Sequence, residues 1–336
     1  ADDQAIFLNA ATPAWMYAPA LAILDNKNGR SVRIDGHIVA AKPGIALKFT
    51  SNFHESLEQL DSLDCDAELC NAHPKWIWDY LDFIAPALEY DFEFWKLEKD
   101  ILDKLPPDLS TLHDRNIYIH NTAQISKFVH LDASNGPIII DQDCKISSFS
   151  SITGPVYLGK RSTLKPSTFI RQAVVGQVCN LGGEIKGSII HPYTNKSHDG
   201  FLGDSILGSW INLGAGTSTS NMKNNYQQIK VSWDGQNMDS GRQFLGSVLG
   251  DHLKTAIGVR LNTGTIIGAF CNIFQADFPP RAIPSFSWGN GSYEIDKAIQ
   301  TAGLMMKRRG MELSASQIEI IKALAEDNAP FIHFNS

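Results

Sequence analysis

The stretch IDQDCKISSFSSITGPVYLGKRSTLKPSTFI, residues 140–170, carries an aliphatic residue at every sixth position: Ile140, Ile146, Ile152, Leu158, Leu164 and Ile170. A period of six fits neither the ~3.6-residue turn of an α-helix nor the simple alternation of a strand. It fits a coil of three short flat faces, in which each aliphatic side chain points into a triangular core and stacks on its copy from the next coil. Small and turn-forming residues, as in GPVYLGK (154–160), take the corners. A weaker prefix (Ile119, Ile125, Leu131) and a second run (Leu249, Leu261, Ile267, Ile273, with Thr255 in the gap) extend the pattern. Leu207 and Leu213 carry the same spacing between them. The repeat predicts a mainly β chain, a parallel β-helix of hexapeptide repeats over residues 105–290.

Residues 218–244 interrupt the hexads with a polar segment that includes the turn pair Asp234-Gly235, and a loop projecting from one face is expected there. Its length and its place after a glycine-rich turn suit a substrate or subunit contact. Residues 1–104 read as an α/β partial domain with a linker helix. AIFLNA and VRIDGHIVAAK are strand-like, and WIWDYLDFIAPALEYDFEFWKLEKDILDKL (76–105) has helical spacing. Packing accounts for Trp76, Trp78 and Trp95. Pro106-Pro107 marks the boundary, and residues 291–336 form a helical tail. Its first helix ends at Gly310, and its second begins at a capping box of Ser314 and Gln317. Such a tail covers the open end of a solenoid. The opening ADDQAIFLNA lacks an initiator Met and reads as the middle of a domain, so a preceding segment is expected.

With 336 residues and 43% hydrophobic content, the chain can bury a sizeable core. A net charge of −7 and no Lys/Arg-rich run argue against nucleic acid as a partner. A locally basic pocket for an anionic small molecule remains compatible with that balance. No apolar run approaches the ~18–20 residues of a membrane span, and no signal peptide is recognisable. Five cysteines without CxxC spacing predict buried thiols, no zinc or other metal, and a reducing, cytoplasmic setting.

Chemistry concentrates in SHDGFLGDSILGSWINLGAGT, residues 197–217. LGAGT is not a phosphate loop, because no GxxxxGK[ST] occurs and no GxGxxG stands between a strand and a helix. It reads as a tight corner whose backbone N–H groups at Leu213–Ala215 face outward. His198 lies in a break between hexad runs, beside Asp199 and Gly200. Lys186 precedes it by twelve residues, which places both at equivalent positions on successive faces if the hexads hold. Asn212 follows in the next coil. An imidazole with a cation nearby suits deprotonation of an amine or hydroxyl attacking an acyl donor. No serine or cysteine nucleophile has a visible histidine partner, which favours direct transfer.

The array, with NLGGEIKGS (180–188), HDGFLGD (198–204), INLGAGT (211–217) and TSN (219–221), resembles the acetyltransferase half of the GlmU-like family, the bifunctional enzymes making UDP-N-acetylglucosamine. IWDYL with DFEFW, NTGTIIG, FPPRAIPSFSWG and MKRRGMELS further resemble a bacterial branch described as sugar-phosphate nucleotidyltransferases of that family, and this likeness spans nearly the whole chain. The resemblance implies that the β-helix is left-handed and that residues 1–104 include the C-terminal part of a nucleotidyltransferase-like domain. It implies acetyl-CoA as co-substrate, glucosamine 1-phosphate or a related amino-sugar phosphate as acceptor, and a homotrimer with sites between subunits. By the same resemblance His198 is the general base, and Lys165 and Lys186 hold the sugar phosphate. Asn212 and Asn221 bond the sugar, and Ala215 and Gly258 contact coenzyme A. Three positions depart from the family: Lys165 stands where the better-known enzymes have Arg, and Phe201 and Met222 where they have tyrosines. The glycine-rich motif of nucleotidyl transfer is absent from the 336 residues. Two other readings stay open. One is a sugar-1-phosphate nucleotidylyltransferase whose β-helix is a trimerisation and regulatory arm, and the other is a non-catalytic trimeric scaffold.

Overall fold

In the computed structural model the described residues are 74–102, 105–233 and 235–326, with the backbone of four short strands before them. The chain divides into two compact units, with the break between Phe83 and Ile84. In the first unit the strands lie in the order Phe7–Leu8, His37–Lys42, Arg30–Ile34, Asp61–Leu63. The piece VRIDGHIVAAK accordingly supplies an antiparallel pair. The rest of the expected partial domain up to residue 73 lies outside the described residues.

The expected helix over 76–105 is divided into a 3-10 helix, Ile77–Phe83, and helix α1, Ile84–Trp95. Pro86 explains the division. It sits in the first turn of α1, where a missing N–H removes no helical bond, whereas deeper in a continuous helix it would. α1 buries Ile84, Leu88 and Phe92, four residues apart on one stripe. Trp95 at its end packs against Tyr118 at 4.9 Å and Tyr157 at 6.1 Å, so packing does explain this tryptophan.

The second unit is a parallel β-solenoid of about ten turns, consistent with the left-handed prism. Ser151–Leu158 shows how the coils stack: it pairs with His130–Asp132 and Ile138–Ile140 below and with Phe169–Val175 above, all in parallel. Three ladders result. One face carries 138–140, 156–158, 173–175 and 188–190, and the second carries 145–146, 163–164, 180–181 and 195–196. The third carries 151–153, 169–171, 184–186 and 201–203. Ile140, Ile146, Ile152, Leu158, Leu164 and Ile170 are all buried in one continuous core. Each contributes ~1.5–3 kcal/mol by leaving water.

The period is not strictly six beyond Ile170. Leu164 pairs with Leu181, seventeen residues on, and Leu181 with Lys196, only fifteen on. The shortening falls at the corner Gly182-Gly183, which turns directly into the strand Glu184–Ile190. The expected equivalence of Lys186 and His198 therefore fails. Lys186 ends a third-face strand and is the register partner of Gly203, while His198 occupies a corner. Deleting corner residues shifts every later position against a fixed hexad count.

The insertion begins after Ser218–Thr219, which still pairs with Arg260–Leu261. Within it, Lys230–Trp233 and Gln236–Asp239 pair as an antiparallel hairpin. Ile229 and Val231 are buried and lie where a Cβ on Gly264 would be. Beyond the solenoid come α2, Ile295–Lys307, and α3, Ala315–Glu326. The capping box is formed: Ser314 N–H donates to Gln317 Oε1 at 2.9 Å, and Gln317 N–H to Ser314 Oγ at 3.2 Å. Ala298, Ala302 and Ile321 pack with Phe270 and Phe286 at the end of the prism. Cys144, Cys179 and Cys271 are buried in the core, which pushes their thiols up to about 12, 12 and 11. Cys65 and Cys70 lie outside the described residues.

One edge of the prism is lined by side chains from left-handed corner residues. Tyr193, Trp210, His252, Phe270 and Phe286 all have positive φ, and their rings stack in one column at centroid distances of 4.2, 6.0, 4.8 and 5.2 Å. His252 is 6% exposed, and its Nδ1 has no hydrogen-bond partner among the described residues. Burial first, and Lys254 second, lower its pKa from 6.5 to about 4. Because the folded value lies below the unfolded one, the unfolded chain takes up the proton first as pH falls. Stability should be full above about pH 6.5 and should fall by up to ~3 kcal/mol towards pH 4. Denaturant midpoints at pH 7 and pH 4.5 read this, and His252→Phe, which keeps the stack, should flatten the slope. An equal slope in both proteins would refute it.

Candidate active site

The corner that carries His198 spans 197–200, between the strands Asn195–Lys196 on the second face and Phe201–Gly203 on the third. It rests directly on Gly182-Gly183. A Cβ on Gly182 would run into the carbonyl of Ser197, so only glycine lets the two corners approach this closely. His198 is exposed, and its imidazole makes no hydrogen bond among the described residues. It is thus accessible from solvent.

Across the third face, Lys186 and Asn221 come together around one carboxylate. Asn221 Nδ2 donates to Asp204 Oδ2 at 2.6 Å, and Lys186 Nζ lies 3.6 Å from the same oxygen. The ammonium also sits 4.7 Å from the ring centre of Phe244, on the returning end of the insertion. Gly246 N–H bonds the Asp204 carbonyl and Leu245 N–H that of Asn221, so the insertion closes over this cluster. Phe201 lies between the cluster and the His198 corner, its ring over Gly203 where a Cβ would stand. Arg171, register partner of Lys186, pairs with Glu184 at 3.5 Å.

The second-to-third-face edge changes character along the prism. In the early coils its left-handed corner residues are Phe128 and Phe149, stacked at 5.4 Å and more than 60% exposed. Above the His198 corner the same positions are Gly216 and Gly258, with φ of +72° and +74°. A Cβ on Gly258 would meet nothing within 4 Å, so this edge is bare backbone with open space beside it. Ala215 and Gly258 are joined by a 2.7 Å bond from Gly258 N–H to the Ala215 carbonyl. The expected run of outward amides at Leu213–Ala215 is corrected. Leu213 N–H bonds the Asn195 carbonyl and Gly214 N–H bonds Thr255 Oγ1. Ala215 N–H alone of the three has no partner among the described residues.

Two expected site residues stand apart from these groups. Asn212 lies on the second face, where its Oδ1 accepts from Asn195 Nδ2 at 2.7 Å. Lys165 lies at the corner two coils below Ser197, about 10 Å away at ~4.8 Å per rung.

No family model matches the chain. Among curated proteins, a bifunctional sugar-1-phosphate nucleotidylyltransferase/acetyltransferase of Sulfurisphaera tokodaii is 31% identical over 183 residues, covering 54% of this chain and 44% of the relative. The bifunctional protein GlmU of Methanococcus vannielii is 36% identical over 122 residues, covering 34% and 28%. That of Methanocaldococcus jannaschii is 27% identical over 218 residues, covering 65% and 46%. The homologues are GlmU-like bifunctional proteins. The chain spans less than half the length of each of these relatives.

One residue beside this corner escaped sequence reasoning. Lys196 occupies a second-face core slot, paired with Leu181 in a column that otherwise runs Ile146, Leu164, Leu181 and, beyond it, Leu213. It is 2% exposed, and its Nζ donates to the carbonyls of Gly182 at 2.7 Å and His198 at 2.8 Å. Burial lowers its pKa to about 8. The signal was present: a lysine at a hexad-like inward position is a mismatch that a buried charge must justify. It was hidden because the shortened coil moved the count. Among the described residues no group of three or more His, Cys, Asp or Glu could hold a metal ion, and no helix is long and apolar enough to cross a membrane.

Proposed function

We propose that this chain is an acetyl-CoA-dependent N-acetyltransferase acting on an amino-sugar phosphate of the glucosamine 1-phosphate type, within nucleotide-sugar synthesis. The observation that carries it is an exposed imidazole at the 197–200 corner with a cation–amide cluster of Lys186 and Asn221 across the same face of the prism. The name of the Sulfurisphaera tokodaii relative, which couples nucleotidyl transfer with acetyl transfer, supports the reaction class.

In this reading His198 removes a proton from the sugar amine as the nitrogen attacks the thioester carbonyl. The carbon–sulfur bond then breaks, and the leaving thiolate takes up a proton. Ala215 N–H suits the developing oxyanion, since its donor is unused among the described residues. Gly258 offers bare edge rather than an N–H for the coenzyme arm. Lys186 and Lys165 bind the phosphate as point charges, Lys165 without the bidentate fork of an arginine. Asn221 holds the sugar, with Asp204 fixing its amide. Asn212 faces away from Lys186 in one copy, so its proposed sugar contact is completed between subunits of a homotrimer. A cytoplasmic setting suits these substrates.

The test is direct: incubate the chain with acetyl-CoA and glucosamine 1-phosphate and follow free coenzyme A, with calorimetry for acetyl-CoA alone. Turnover is expected. Neither binding nor release would remove the reading and favour the scaffold. Release of pyrophosphate from a nucleoside triphosphate and a sugar 1-phosphate would favour the second activity in that relative's name.

A further inference from the structure

The catalytic reading makes no use of the one buried lysine at its own corner. Hydroxyls from three other second-to-third-face corners bond inward carbonyls, while buried Val129 and Val259 take the equivalent place in two more. Thr168 Oγ1 donates to the Lys165 carbonyl at 2.6 Å, Ser150 Oγ donates to the same oxygen at 3.2 Å, and Thr217 Oγ1 donates to that of Ala256 at 3.3 Å. Ser150, Thr168 and Thr217 are all buried just before a third-face strand. In the two coils at the His198 corner that position is Gly183 and Gly200, which have no hydroxyl. The carbonyls of Gly182 and His198 then turn towards the core, and Lys196 Nζ bonds both.

We propose that Lys196 is a positioning residue for acetyl transfer: by clamping the carbonyl of His198 to that of Gly182 in the coil below, its ammonium sets where the imidazole stands over the third face. This rests on the reading of His198 as general base. The clamp acts on the backbone of the very residue that carries the base, and it ties that residue to the coil below. The corner 197–200 has few other tethers: Glu184 N–H donates to the Gly200 carbonyl at 3.3 Å, Ser197 Oγ donates to Asn195 Oδ1, and the exposed Asp199 contributes only a favourable charge. Without the clamp the buried carbonyl of Gly182 and the half-buried one of His198 lose this donor, and the corner must open to water to regain one.

The experiment compares Lys196→Met, which fills the slot one atom short and without a donor, and Lys196→Gln, which keeps a shorter donor, with His198→Ala and the parent. The readouts are steady-state acetyl transfer and amide hydrogen exchange. Lys196→Met should lower kcat by roughly tenfold or more while KM for acetyl-CoA and for the sugar phosphate moves less than about threefold, because displacing a base by a fraction of an ångström slows chemistry without weakening binding. Lys196→Gln should fall between Lys196→Met and the parent. The amides of Glu184, which donates to the Gly200 carbonyl, and of Phe201, which donates to Ser218 Oγ, should exchange at least ~10 times faster in Lys196→Met, with the bonded amides of Ser167 and Thr217 in other corners unchanged. Parent-like kcat in Lys196→Met, beside an inactive His198→Ala, would overturn the clamp and leave the acetyltransferase reading standing. Unchanged exchange at Glu184 and Phe201 would overturn it too. If His198→Ala retains parent activity, the base itself is wrong and the positioning role falls with it. If Lys196→Met does not fold, Lys196→Gln carries the same kcat, KM and exchange comparisons.

Discussion

Replacing His198 by alanine is expected to lower acetyl-CoA-dependent turnover by about 10²–10⁴-fold, the usual contribution of a positioned general base. The effect should fall on kcat, since the imidazole takes its proton during attack and need not bind either substrate before it. Stability should stay within ~0.5 kcal/mol of the parent, because the side chain is exposed and makes no hydrogen bond among the described residues. A coenzyme A release assay with a melting curve on the same sample separates the two effects. Unchanged turnover would remove the base, and with it the mechanism built on this corner.

The second large effect concerns the prism. Leu164 is fully buried, with Ile146 paired below it and Leu181 above. Leu164→Ala should cost about 2–5 kcal/mol through lost burial and the cavity left behind. A rigid stack of strands on both sides relaxes little, which places the cost towards the upper part of that range. In a solenoid each rung is held chiefly by its neighbours, so the loss should spread to the coils beside it. The Lys165 corner continues directly from this rung, and the His198 corner stands two rungs above. Chemical denaturation reads the loss against Lys160→Ala on the exposed surface, expected within ~0.5 kcal/mol. Equal midpoints would show that the hexad positions are not what holds the coils together.

The solenoid was legible because its repeat is a local rule. One aliphatic residue in six must point inward for a three-faced coil to close, and the run from Ile140 to Ile170 states that rule without interruption. The capping box at Ser314 was legible for the same reason, since cap and helix lie three residues apart. The helix over 76–105 was misjudged in extent, because apolar spacing outweighed Pro86.

The candidate site was legible residue by residue but not in its arrangement. Sequence alone determined that His198 lies in a corner, that Lys186 and Asn221 are polar groups beside hexad runs, and that LGAGT makes a tight turn. Only the tertiary structure decided that Lys186 meets Asn221 at Asp204, that Asn212 stands on another face, and that Lys196 reaches in to hold the His198 carbonyl. The physical reason is register. Coils of seventeen and fifteen residues break the count of six, and which residues become neighbours across rungs depends on the summed length of every corner between them.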